Sequence, residues 1–276
     1  MLPKENQMFT YSGQTALITG ASSGIGEMFA RQLAARGMNL VLVARSEGRL
    51  RQLAHELKQL HHVQIDVVPM DLSRPGAGTQ VARQVHHLGR SVHLLINSAG
   101  FATHGRFEQL PMAQQQDEIS LNITALVELT HATLPEMLAR GLGGVINVAS
   151  TAGLQPDPYM AVYGATKAFV LSFSEALWAE TRGRGVTVTA LCPGATDTAF
   201  FDVVGAPEAS VGRRDTPQNV VRVGLRALER GQSHVIPGTA NVLLAQVHRF
   251  LPRALTARIV AGMLRPRTPQ PVLRPD

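Results

Sequence analysis

Thr15-Ala-Leu-Ile-Thr-Gly20-Ala-Ser-Ser-Gly24-Ile-Gly26 is the stretch on which the fold turns. Its first five residues read as a short buried strand. Three glycines follow at once, and then a helical pattern that runs through Arg36 to Gly37. A chain that passes from strand to glycine turn to helix sets the unpaired N–H groups of the helix start beside the strand end, where an anion is favoured. Missing side chains let the turn tighten and the backbone approach a pyrophosphate. The spacing is G-x-x-x-G-x-G rather than the commoner G-x-G-x-x-G, so the glycines alone are weak evidence. The strand–turn–helix setting makes them strong.

Outward from this turn the pattern repeats. Strands are predicted at Asn39–Ala44, Val63–Pro69, Val92–Asn97, Gly143–Ala149, Val186–Cys192 and Ser233–Pro237. Helices are predicted between them, including one continuous helix from about Met112 to Arg140 and another through Tyr163 to about Arg182. Near-continuous apolar strands such as Asn39-Leu-Val-Leu-Val-Ala44 are expected of parallel strands covered on both faces. Alternation of this kind predicts an α/β protein, a single Rossmann-type doubly wound domain with a mostly or wholly parallel seven-stranded sheet. The ligand crevice then lies at the carboxyl ends of the strands.

Tyr163-Gly-Ala-Thr-Lys167 carries the chemistry. Phenol and ammonium at i and i+4 share one helix face. An ammonium beside a phenol favours the phenolate and lowers its pKa, making the tyrosine a usable general acid or base. Ser150 follows the fifth strand, where its hydroxyl can donate to a carbonyl oxygen; Thr151 is the competing choice. Ser150 has no G-x-S-x-G elbow or His/Asp frame, which argues against a serine hydrolase. Asn122 interrupts the stripe Ile119, Asn122, Leu126 and Leu129. A buried amide needs partners, so it either ties two elements together or holds water behind Lys167.

After the second strand, where a chain selecting NAD would offer a carboxylate, this one offers Arg45 and, one turn on, Arg49. A guanidinium matches a 2′-phosphate, so NADP(H) is expected in preference to NAD(H), although a solvated basic helix start reads the same way. Asp71-Leu72 ends the third strand, where Asp71 either accepts from an adenine amino group or serves as a turn residue. Asn97-Ser-Ala-Gly100 ends the fourth, its small residues permitting close approach to a ribose.

Hydrophobic residues make up 45% of the 276-residue chain and charged residues 17%, enough for a substantial core. The net charge of +6 is concentrated late, in Arg249, Arg253, Arg258, Arg265, Arg267 and Arg274. Without a helix-turn-helix, zinc finger or aromatic platform, no nucleic-acid partner is expected. Cys192 is the single cysteine, so no intrachain disulfide can form, in keeping with a reducing compartment. The paired histidines His61-His62 and His86-His87 lack a ligand frame, and no metal site is expected. Met1 to Ser12 does not read as a secretory signal, and no window has the apolar length of a spanning helix; a cytoplasmic location, in contact with a membrane at most peripherally, is expected.

These residues together resemble the short-chain dehydrogenases/reductases over roughly residues 13–238. The matching pieces are Thr19-Gly-x-x-x-Gly-x-Gly26, Asp71, Asn97-Ser-Ala-Gly100, Asn122, Ser150, Tyr163-x-x-x-Lys167 and Pro193-Gly194. The resemblance implies a catalytic tetrad of Asn122, Ser150, Tyr163 and Lys167. Tyr163 would transfer the proton, Lys167 would lower its pKa and bind the nicotinamide ribose, Ser150 would polarise the carbonyl, and Asn122 would anchor a relay water. It also implies a cofactor set of Gly20, Ser22, Ser23, Gly24, Ile25 and Gly26 in the turn, Arg45, Asp71 and Leu72 beyond it, then Asn97, Ala99 and Gly100. Pro193, Gly194, Thr196 and Thr198 would close around the nicotinamide carboxamide, with Tyr163 and Lys167 at the ribose. Ser98 and Thr196 depart from the family's usual residues. A homodimer or homotetramer is implied by the resemblance alone.

The loops Phe101–Phe107, Leu154–Met160 and Phe200–Val211 supply Phe101, Phe107, Tyr159, Met160, Phe200 and Phe201 over the crevice. They suit a lipophilic ketone, aldehyde or 3-oxoacyl substrate, or else pack the lid on itself. Residues 239–265 form a helical extension. Leu243, Val247, Phe250 and Leu251 line one face before Pro252, and Leu255, Ile259 and Met263 line one after it. Such a basic amphipathic segment, residues 241–264, rests on anionic lipid or docks on the domain or a second subunit. Prolines dominate 266–276, where disorder is expected. An NADPH-dependent oxidoreductase is the leading functional expectation; the alternative is a catalytically silent NADP(H)-binding scaffold or sensor.

Overall fold

The computed structural model describes residues 9–206, 209, 212–247 and 251–266. Residues 1–8, lid positions 207, 208, 210 and 211, residues 248–250 including Arg249 and Phe250, and the tail from 267 onward lie outside it. Seven strands are present among the described residues: β1 (Thr15–Thr19), β2 (Asn39–Ala44), β3 (Ile65–Pro69), β4 (Leu94–Asn97), β5 (Gly143–Val148), β6 (Val186–Leu191) and β7 (His234–Val235). They form one sheet in the order β3-β2-β1-β4-β5-β6-β7, and each neighbouring pair is parallel.

Alternation along each strand sends side chains to opposite faces. Ala16 and Ile18 of β1 pack with Phe29 and Leu33 of α1 (Gly24–Ala34), Leu50 and Leu57 of α2 (Glu47–His61), and Val221 and Leu225 of α8 (Pro217–Glu229). Leu17 packs on the other face with Val81 and Val85 of α3 (Ala77–His87) and Leu129 and Met137 of α5 (Ala125–Arg140). Both sheet faces are therefore covered, which is why the strands read as unbroken apolar runs. The order reverses between β1 and β4, so the helices that follow these two strands leave on opposite faces and a crevice opens at their carboxyl ends.

The expected continuous helix from Met112 to Arg140 is broken. α4 (Met112–Ile119) passes through a π-helical turn, Ser120–Thr124, before α5 begins. The wider turn rotates the buried face. Ile119 is 41% exposed, whereas Glu118 is fully buried, so the stripe runs through Gln115, Glu118 and Asn122 instead of through Ile119. Such turns recur at functional sites, and Asn122 sits within this one. The remaining helices are α6 (Ala161–Thr181), α7 (Phe200–Val204), α9 (Thr239–Val247) and α10 (Arg253–Leu264).

Candidate active site

Tight backbone approach builds the nucleotide end of the crevice. Gly20 has φ +68°, and a β-carbon on Gly26 would lie 2.3 Å from the Gly20 carbonyl oxygen. Only a residue without a side chain lets α1 start so close to its own turn. Thr19 Oγ1 accepts from the amides of Ser98 and Ala99 at 3.0 and 3.1 Å, fastening the end of β1 to the end of β4. This fastening role was not foreseen; a threonine at a strand end is too common a signal.

Ser22, Ser23, Gly24 and Ile25 line the crevice with Gly20 and Gly26. Arg45 and Arg49 line its far end, both exposed and neither in an ion pair among the described residues. Leu72 and Asp71 lie alongside. Asp71 Oδ1 accepts from the Ser73 hydroxyl at 2.8 Å and the Ser73 amide at 3.1 Å, the arrangement of a turn residue. Burial pushes its carboxyl up, but Ser73, Arg45 and Arg74 outweigh this and hold it below its ordinary value. Ala99, Gly100, Pro193, Gly194, Thr196 and Thr198 also line the crevice.

Asn97 does not. Its amide turns into the sheet interior and donates to Thr130 Oγ1 at 3.1 Å and Asn147 Oδ1 at 2.9 Å. Register explains this, since Asn97 stands opposite Asn147 and the pleat sends the next residue, Ser98, to the crevice. Of this stretch Ser98, Ala99 and Gly100 line the crevice, and Asn97 does not.

At the other end, Tyr163 and Lys167 project from α6 onto the crevice wall, 8% and 6% exposed, and Ser150 joins them from the end of β5. The Ser150 hydroxyl stands beside the Tyr163 phenol, where it favours the ionised phenol, and it accepts from the Ala152 amide at 3.1 Å. Lys167 Nζ lies 5.7 Å from the Tyr163 ring centroid and donates to the Val148 carbonyl at 2.8 Å. Asn122 stands behind them. Its Oδ1 accepts from the Phe101 amide, and its Nδ2 donates to the Phe101 carbonyl at 3.0 Å and to Thr166 Oγ1 at 3.1 Å. It thus ties the π turn to the β4 loop and to α6. A β-carbon on Gly100 would lie 3.0 Å from Asn122 Oδ1 and 3.4 Å from Lys167 Nζ, so Asn122, Lys167 and the Gly100 backbone converge.

The electrostatics differ from expectation. The phenol is held above its ordinary value, chiefly by burial and further by Asp157 and Glu118, with Ser150 opposing. Burial lowers Lys167 to about 8, with Glu118 and Cys192 pulling the other way. Desolvation therefore outweighs the attraction between ammonium and phenolate at this floor.

Two carboxylates here were missed by sequence reasoning. Glu118 Oε2 accepts from the Thr103 hydroxyl at 2.7 Å and the Thr103 amide at 3.1 Å, and burial pushes its carboxyl up to about 7. Its i, i+4 relation to Asn122 was the available signal. Asp157 lines the crevice before α6 without an ion pair or hydrogen bond to its carboxylate among the described residues. Burial raises it to about 7.

The crevice encloses about 1110 Å³. Phe101, Met160, Phe200 and Phe201 line it, but Tyr159 and Phe107, the latter 61% exposed, border a separate hollow. The outer wall comes from α10: Val260, Met263 and Leu264 line the crevice, and His104 Nε2 lies 2.8 Å from the Leu264 carbonyl. The extension therefore docks on its own domain through Thr256, Val260 and Leu264, while the predicted face of Leu255, Ile259 and Met263 is turned outward. A long crevice with a glycine-bounded helix start, guanidinia at one end and a phenol at the other fits an extended phosphorylated nucleotide.

The sequence matches the short chain dehydrogenase family over residues 14–209. It is 32% identical over 232 residues to ketoacyl reductase HetN of Nostoc sp., covering 83% of this chain and 80% of that protein. It is 33% identical over 233 residues to a 7beta-hydroxysteroid dehydrogenase of Collinsella aerofaciens, covering 83% and 88%. The structure of a short-chain dehydrogenase from Sphingobium yanoikuyae in complex with NADPH superposes with a TM-score of 0.78 at 35% identity, covering 93% of this chain and 98% of that one. The chain belongs to the short-chain dehydrogenase family. It is an NAD(P)-dependent oxidoreductase with a Rossmann fold.

Proposed function

We propose that the chain is an NADPH-dependent carbonyl reductase, or alcohol dehydrogenase in reverse, for lipophilic substrates that are neutral around the reacting carbon. The observation that carries this reading is the convergence of Tyr163, Ser150 and Lys167 on one end of a crevice whose other end holds Arg45 and Arg49. A nicotinamide nucleotide bound there would supply or accept the hydride. The turn residues 20–26 would hold its pyrophosphate, and Arg45 with Arg49 a 2′-phosphate.

Ser150 and Tyr163 donate hydrogen bonds to the substrate oxygen, orienting the carbonyl and stabilising negative charge as it develops. The phenol then gives that oxygen its proton, so hydride plus proton yields the alcohol. Lys167 stabilises the phenolate left behind. Asn122 holds the π turn, the β4 loop and α6 in register, keeping Lys167 beside the phenol.

Phe101, Met160, Phe200 and the α10 side chains favour an apolar substrate body. Asp157 opposes an anionic group near the carbonyl, because the arginines of the crevice wall stand at its other end. The ketoacyl and hydroxysteroid activities named for two relatives are in keeping with such a substrate.

The test follows oxidation of NADPH with lipophilic ketones, aldehydes and 3-oxoacyl thioesters, comparing the natural chain with Tyr163→Phe. Turnover reduced by about 10²-fold or more with NADPH binding retained is expected. Equal turnover in the variant would remove Tyr163 from the mechanism. Saturable NADPH binding without turnover across the panel would count for the scaffold reading.

A further inference from the structure

Half of the large hydrophobic side chains exposed among the described residues sit on the last two helices. Of twelve in all, six are Val242, Leu243 and Leu244 on α9 and Leu255, Ile259 and Met263 on α10. Leu243 and Leu244 are 69% and 65% exposed, far beyond what an isolated surface leucine needs to be. On α10 the three recur every fourth residue and therefore form one row. The neighbouring row, Thr256, Val260 and Leu264, about 100° round the helix, is buried against the domain, so docking leaves the outward row uncovered.

The charge of this segment has one sign. Arg253, Arg258 and Arg265 are exposed on or beside α10, and none forms an ion pair among the described residues. No aspartate or glutamate occurs in the chain between Glu229 and Asp276. Two copies meeting through this face would oppose arginine to arginine with no carboxylate from either side. Nucleic acid would match the charge but leave the aliphatic row in water. An anionic lipid surface answers both features: phosphates take the guanidinia and the acyl boundary takes the aliphatic row.

We infer that α9 and α10 seat this protein peripherally on anionic membranes. Met263 gives the seat a consequence, since it is 53% exposed and also lines the crevice. The wall between crevice and lipid is thus one helix thick, and a lipophilic substrate would reach Tyr163 from the membrane side. That last step rests on the function proposed above; the seat itself does not.

The experiment is vesicle sedimentation of the full chain with phosphatidylcholine alone and with equal parts phosphatidylcholine and phosphatidylglycerol. The variants are Leu243→Ser/Leu244→Ser/Ile259→Ser, whose side chains do not line the crevice, and Arg253→Gln/Arg258→Gln. Expected are binding to the anionic vesicles only, weakening with added salt, and a loss of roughly tenfold or more in each variant. NADPH affinity, read by its fluorescence, should be unchanged in both. Equal binding to the two vesicle types, or none, overturns the inference. So does a fall in oligomer mass in the triple-serine variant with vesicle binding intact, which would make the face a contact between copies. Failure of turnover would leave the sedimentation result standing, so the two proposals fail separately.

Discussion

Lys167→Met probes the most unusual charge in the molecule, an ammonium only 6% exposed whose pKa falls from 10.5 to about 8. Burial penalises the ionised form, so the folded state releases the proton before the unfolded state does. Below pH 8 both states carry the charge and the folded chain bears the full desolvation penalty. Between pH 8 and 10.5 the unfolded state binds more protons, so this group makes stability rise with pH. Over pH 7.5 to 9.5 the shift amounts to about 2 kcal/mol at about 1.4 kcal/mol per pKa unit. The methionine variant loses the bond to the Val148 carbonyl as well, but that loss is the same at every pH. The difference in unfolding free energy, natural chain minus variant, should therefore climb by about 2 kcal/mol across the window. Glu118 and Cys192 are present in both proteins, so their own titrations largely cancel from the difference. Urea unfolding of both cofactor-free proteins at the two pH values measures this quantity. A difference that stays flat within about 0.5 kcal/mol would refute the reasoning, because a hydrated ammonium produces no such slope.

Three further outcomes follow from the crevice. Arg45→Ala should raise the KM for NADPH by about 10- to 100-fold, the loss of one charge-assisted contact, and leave that for NADH within about threefold; steady-state kinetics with both nucleotides decides it. Gly26→Ala puts a methyl group 2.3 Å from the Gly20 carbonyl oxygen, so the turn must open. Loss of NADPH binding, with destabilisation of about 1–3 kcal/mol by urea unfolding, is expected. At pH 8.5, where its carboxyl is ionised, Asp157→Asn should leave kcat on neutral ketones within about threefold and lower the KM for carboxylate-bearing ketones by about tenfold, the removal of one nearby like charge; an unchanged ratio of the two KM values would take Asp157 out of substrate selection.

The strands were legible because each is buried on both faces, which leaves an apolar run that few other environments produce. The residues at their ends were legible for a related reason. A glycine in the β1 turn and an arginine after β2 break the apolar pattern where a doubly wound sheet places its ligand. Side-chain direction at those ends was harder. Asn97 and Ser98 are adjacent, and only pairing with Asn147 decides which of them faces inward. The π turn was invisible for a similar reason, since one extra residue in a turn changes no composition. It nonetheless exchanges Ile119 for Glu118 on the buried face, and so hides a carboxyl four residues before Asn122.

The electrostatic error in the reading of Tyr163 and Lys167 has a different origin. Spacing at i and i+4 fixes which groups share a face, and from that alone attraction between ammonium and phenolate is the expected effect. Burial cannot be read from spacing. Here α7 and the β4 loop pack on Tyr163, and burial acts on both groups in the opposite direction, raising the phenol and lowering the ammonium. Further out, α10 adds Val260, Met263 and Leu264 to the apolar crevice wall and leaves the row of Leu255, Ile259 and Met263 without a partner. The crevice lining at Val260 and the exposed row at Ile259 are thus two faces of one helix: what α10 encloses on one it must expose on the other.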